Sequence, residues 1–81
     1  MKKFNVKIFT EHWWSGESED HMFARSDTVE ELLQICYRFL KGKPVDIHEW
    51  DPIEFEDKLL EDGYAAIATD DRIVYYVQLF N

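Results

Sequence analysis

The stretch from Arg72 to Phe80 constrains the fold most. Read as a strand, it places Ile73, Tyr75, Val77 and Leu79 on one side and Val74, Tyr76, Gln78 and Phe80 on the other, because successive side chains point to opposite faces. Apolar side chains on both sides predict a strand in the middle of a sheet, or one with half its surface covered by a partner. Tyr64 to Thr69 precedes it across Asp70-Asp71, so the two segments read as a hairpin. Asp-Asp is a weaker turn signal than Asn-Gly, which leaves room for a longer loop. Ala65, Ala66 and Ala68 allow a helix to approach this hairpin closely.

The remaining elements follow from periodicity and punctuation. Phe4, Val6 and Ile8 alternate with Asn5 and Lys7, the period of a half-buried strand, which is expected to reach about His12. Trp13 to Asp20 reads as a polar connection around Gly16, followed by a weaker strand at Met22, Phe23 and Ala24 and hence an antiparallel hairpin. Between Ser26 and Gly42, Val29, Leu32, Leu33, Cys36, Phe39 and Leu40 form the apolar stripe of an amphipathic helix. Asp27 or Thr28 caps it, and Thr28 with Glu31 fits a capping box. Val45 to His48 reads as a short strand or an extended connector. Asp51-Pro52 with Glu54 starts a second helix, with Phe55, Leu59 and Leu60 as its apolar stripe and Gly63 as its stop. The order ββα(β)αββ predicts one α+β domain over residues 1–81, an antiparallel sheet with helices on one face.

Charge and composition limit what such a domain does. Of 81 residues, 17 are acidic and 9 basic, giving a net charge of −8, yet 46% are apolar and 16% aromatic. A core can form, so this is not a disordered acidic tail. Lacking a basic stripe, the chain is a poor direct binder of nucleic acid. No apolar run approaches the ~20 residues of a membrane span. Met1-Lys2-Lys3 resembles the start of a signal peptide, but Asn5 and Lys7 interrupt an apolar core for it. The expectation is a cytoplasmic protein without membrane contact.

No constellation argues for catalysis or for a cofactor. Cys36, the single cysteine, falls on the apolar stripe of the first helix and reads as a core residue. His12, His21 and His48, the group Glu17, Glu19, Asp20 and His21, and the group His48, Glu49 and Asp51 match no metal-ligand spacing. Glycine-rich phosphate loops and nucleophile elbows are absent from the sequence. The chain is therefore expected to be non-enzymatic, with no metal and no cofactor.

The distribution of acids is more informative. Residues 44–62 carry Asp46, Glu49, Asp51, Glu54, Glu56, Asp57, Glu61 and Asp62 against Lys58 alone. Residues 17–31 carry Glu17, Glu19, Asp20, Asp27, Glu30 and Glu31 against Arg25. One reading of this is solvated helix faces with acids near two N-termini; the other is a negative surface that steers and docks onto a basic partner. Trp13 and Trp14 are candidate anchors of such an interface. Trp50 is a second candidate, although the residue before a helix cap also packs as a hydrophobic staple, here on Phe55.

In size, in the strand opening Lys2-Lys3-Phe4-Asn5-Val6-Lys7-Ile8-Phe9, in the helix opening Ser26-Asp27-Thr28-Val29-Glu30-Glu31-Leu32 and in its acid-rich second half, the chain resembles the small acidic phage-encoded inhibitor proteins that include anti-CRISPR proteins. The likeness is one of layout, and no family site is carried over. It implies a protein acting in the host cytoplasm on a nuclease, a CRISPR effector or another nucleic-acid-handling complex, occluding a basic groove by mimicking phosphate charge. The expected partner-binding residues are Trp13, Trp14, Glu17, Glu19, Asp20, Glu49, Trp50, Asp51, Glu54, Glu56, Asp57, Glu61 and Asp62. Two other readings stand beside this one. One is an immunity-type nuclease inhibitor. The other is a homo-oligomer whose final strand pairs with a second copy through Val74, Tyr76 and Phe80.

Overall fold

The computed structural model describes residues 4–80. Lys2-Lys3 of the strand opening and the signal-like Met1-Lys2-Lys3 lie outside the described residues. The chain runs β1 (Phe4–His12), β2 (Ser18–Ser26), α1 (Val29–Leu40), β3 (Asp46–Ile47), α2 (Pro52–Asp62), β4 (Tyr64–Thr69) and β5 (Ile73–Leu79). One antiparallel sheet of order β2-β1-β5-β4-β3 carries all the strands. The expected α+β architecture is the one observed.

The helix ends follow their sequence signals. Thr28 is extended, and its hydroxyl accepts from the Glu31 backbone N–H at 3.1 Å. One Asp51 carboxylate oxygen accepts from the N–H groups of Ile53 and Glu54 at 3.1 and 3.3 Å. Both caps satisfy donors that a helix start leaves without intrahelical partners. Gly63 ends α2 in the left-handed region at φ 83°, and its N–H reaches the Leu59 carbonyl. A residue with a Cβ is disfavoured there by backbone sterics.

The buried core lies between the helices and one face of the sheet. Phe4, Val6 and Ile8 of β1 and Tyr75 and Val77 of β5 meet Leu32, Leu33, Cys36 and Leu40 of α1 and Phe55 and Leu59 of α2. Two irregularities refine the register. Ile8 faces Met22 but Phe9 faces Asp20, so His21 is an extra residue in β2. Tyr76 faces Ala66 but Tyr75 faces Ala68, so Ile67 is an extra residue in β4 and lies buried beside Ala68. Bulges of this kind re-aim side chains locally.

One expectation is corrected and two open readings are resolved. The connection after β1 is shorter than Trp13–Asp20, because Ser18, Glu19 and Asp20 already pair with Glu11, Thr10 and Phe9. Of the two readings of Val45 to His48 the short strand is the one observed, two residues long, pairing with Thr69 and Ala68. The final strand is the central one, bonded to β1 on one side and β4 on the other. Both hydrogen-bonding edges of β5 are thereby occupied, which leaves no free edge on it for strand pairing with a second copy. The sheet's edges are instead the nine-residue β2 and the two-residue β3.

Candidate functional site

With both helices on one side, the opposite face of the sheet stays uncovered, and it is aromatic. Register fixes the layout. Phe9 of β1 faces Tyr76 of β5, Lys7 faces Phe23 of β2 and Gln78 of β5, and Gln78 faces Tyr64 of β4. The rings of Phe9 and Tyr76 stack at 5.3 Å, and Tyr64 meets Tyr76 edge-on at 5.6 Å. Phe23 stacks on Phe80 at 5.6 Å. Lys7 joins the two groups, its Nζ standing 5.3 Å from the Phe9 centroid and 5.8 Å from that of Phe80. Asp20, turned to this face by the bulge, pairs with the same ammonium at 3.2 Å.

This file of five rings is strongly exposed at its ends, with Phe23 65%, Phe80 48% and Tyr64 47% accessible. Isolated exposed rings are ordinary, but contiguous apolar patches on a monomer's surface mark interaction sites. The aromatic pairs are each worth about 0.5–1.5 kcal/mol beyond the area they bury.

Trp13 and Trp14 stand at the tip of the β1–β2 hairpin, 60% and 86% exposed. The Trp13 N–H donates to the Arg72 carbonyl at 2.9 Å, tying this tip to the β4–β5 turn. That turn is closed by Asp70, whose carboxylate accepts from the Arg72 and Ile73 N–H groups at 2.7 and 2.8 Å. These bonds hold the Asp70 carboxyl below its ordinary pKa.

The other expected binding residues scatter. Glu17, Glu19 and Asp20 lie on the hairpin that carries the tryptophans. Glu54, Glu56, Asp57, Glu61 and Asp62 lie on α2, in the layer behind the sheet, and Lys58 pairs with Asp62. Glu49 is exposed in the connection before α2. Asp51 is spent on the helix cap. Trp50 is half-buried: its indole N–H donates to the Ala66 carbonyl at 2.9 Å and its ring packs at 5.5 Å from Phe55, the staple expected at this position. The structure thus brings Trp13, Trp14, Glu17, Glu19 and Asp20 together and keeps the α2 acids apart from them.

The aromatic file was missed as a site, although Tyr76 and Phe80 are legible as the second face of β5. Phe23 and Phe9 join it through the β2–β1–β5 register, and Tyr64 joins it through β4. Such cross-strand partners are spread across the sequence.

The candidate chemical groups have structural surroundings. Cys36 is buried, and burial pushes its thiol up to about 12. His21 Nε2 lies 2.9 Å from Thr10 Oγ1, and its ring packs against Phe39 and Tyr75. Among the described residues no group of three or more His, Cys, Asp and Glu side chains converges on a metal-sized site. None of the helices described is long and apolar enough to cross a membrane. No family model, no curated protein and no solved structure matches the chain.

Proposed function

We propose that this chain is a non-enzymatic binding protein that docks on a basic protein through the uncovered face of its sheet and inhibits or regulates that partner by occlusion. The observation that carries the reading is the continuous aromatic file Phe23–Phe80–Lys7–Phe9–Tyr76–Tyr64 on a face that no element of the described chain covers. Tyrosine and phenylalanine in a cluster are typical of interface centres. The net charge of −8 favours a basic partner. A nucleic-acid-handling protein, as in the phage-encoded inhibitors the layout resembles, has the kind of surface this charge would seek.

Within this reading the acids divide by distance. Glu11 and Asp20 lie on the docking face and Glu17 in the hairpin turn beside it, whereas Glu19, opposite Thr10, points to the helix side. The α2 acids lie across a molecule whose smallest Cα extent is 20 Å, beyond the ~8 Å screening length at physiological salt. The hairpin acids therefore steer the encounter, while Trp13 and Trp14 extend the contact at one end.

Affinity capture tests this, run with the wild type beside a Phe23→Ala/Phe80→Ala variant of unchanged circular dichroism. A basic protein retained by the wild type and lost by the variant is the expected result. Equal retention by both proteins, or retention only of proteins with no basic surface, would remove the docking face from the account.

A further inference from the structure

At the Tyr64 end of the aromatic file the surface sinks into a pocket of about 200 Å³ lined by Phe9, Glu11, Tyr64, Tyr76 and Gln78. Small-molecule sites usually measure about 300–1,000 Å³, so this one has the capacity of a side-chain end rather than of a whole metabolite. Its walls are rings: Tyr64 and Tyr76 meet at 79°, and Phe9 lies against Tyr76 at an interplanar angle of 26°. Ring faces carry negative potential and attract cations within about 6 Å of their centroids. The file already does this with its own Lys7.

Unlike Asp20, which neutralises Lys7, Glu11 makes no ion pair among the described residues. The Tyr76 hydroxyl is held above its ordinary pKa by burial first, and then by the negative charge of Glu11 and by Tyr64, so the Glu11 field reaches the rings. A carboxylate beside two perpendicular ring walls complements a planar cation better than a spherical one. A guanidinium stacks on aromatic faces, forks onto a carboxylate and is less strongly hydrated than an ammonium.

We propose that the Phe9–Glu11–Tyr64–Tyr76–Gln78 pocket receives an arginine side chain of the partner protein, its guanidinium stacked on the face of one tyrosine ring and hydrogen-bonded to Glu11. This rests on the reading of the uncovered face as a docking surface for a basic protein and names the contact that reads the partner's charge.

The test is a nuclear magnetic resonance titration of the full chain with the peptide acetyl-Gly-Arg-Gly-Arg-Gly-amide, following ring and backbone signals. Saturable shifts are expected at Phe9, Tyr64 and Tyr76. The lysine version of the peptide should bind more weakly. Glu11→Gln, which removes the charge-assisted hydrogen bond, and Tyr64→Ala, which removes an aromatic wall, should each weaken arginine binding roughly tenfold. Both positions are exposed, and an unchanged backbone spectrum elsewhere reports that each variant is folded. Shifts centred on α2, affinity unchanged in both variants, an equal response to lysine, or no ring shift at millimolar peptide would each overturn the assignment. Retained capture of the basic partner alongside any of these outcomes would leave the docking face standing and remove only the arginine pocket.

Discussion

The two faces of the sheet are made by alternate residues of the same strands, yet they are built from different chemistry. Toward the helices, β1 presents Phe4, Val6, Ile8 and Thr10, all buried. Away from them it presents Asn5, Lys7, Phe9 and Glu11, none of them fully buried. On β5 the contrast is Tyr75 and Val77 against Val74, Tyr76 and Gln78. The covered face is mainly aliphatic because close packing in a dry core rewards branched shapes without polar atoms. The uncovered face uses rings and long polar side chains, which have apolar bodies and wettable tips. One face holds the fold together, and the other is left with the composition of an adhesive surface.

The sharpest way to break this contrast is to truncate one aromatic on each side. Phe55→Ala, in the middle of the core, is expected to lower the unfolding free energy by about 3–5 kcal/mol in urea titrations. Phe23→Ala, on the uncovered face and 65% exposed, should lower it by less than about 1 kcal/mol. Comparable losses at both positions would mean that the outer face is structural after all.

Next in size is an alkaline effect confined to the covered side. The folded Cys36 thiol has its pKa raised from 9.0 to about 12 by burial. A raised folded-state value means that its contribution is fully present below the unfolded value. It is lost as pH climbs from about 9 toward 12. Denaturation midpoints of wild type and Cys36→Ala, compared across that range, should converge as pH rises. Below it, native Cys36 should react with a thiol reagent far more slowly than the unfolded chain, because a buried neutral thiol is both inaccessible and a poor nucleophile. Rapid native labelling would contradict its place on the buried side of α1.

On the uncovered side, Trp13→Ala and Trp14→Ala should leave stability nearly unchanged and raise the dissociation rate from a partner recovered by capture. The expected loss is about 2 kcal/mol for whichever indole is an anchor, read by surface-plasmon kinetics. Reversing Glu11 and Glu17 to lysine should slow association more than reversing Glu54, Glu56, Asp57 and Glu61, although the second change is larger in charge. The opposite ranking would move the docking surface to α2.

The smallest effect concerns salt. Against 17 acids, the described residues form the ion pairs Lys7–Asp20 and Lys58–Asp62. Screening should therefore relieve more repulsion than it removes attraction. Added sodium chloride is expected to leave the melting temperature level or raise it slightly. A large fall would show that attractive pairs dominate.

Local signals in the sequence determined the elements. A three- to four-residue period places α1, Asp51-Pro52 starts α2, Gly63 stops it, alternation marks β1, and an unbroken apolar run marks β5. Each depends on residues within a turn or two of one another, so no knowledge of the rest of the chain is needed. Even the central position of β5 was legible, because apolar side chains on both sides of a strand need cover on both sides or a partner. Tertiary structure alone decided which distant residues meet. The extra residues His21 and Ile67 have no signature of their own, because a bulge is a property of two paired strands. Asp20 reaches Lys7 only through that offset. Phe23, Phe9, Tyr76 and Tyr64 come from four strands, and sheet order and register put them in one file. The acids, conspicuous in sequence, were divided between two sides of the molecule because a helix packed on one face of a sheet turns its polar side away from the other.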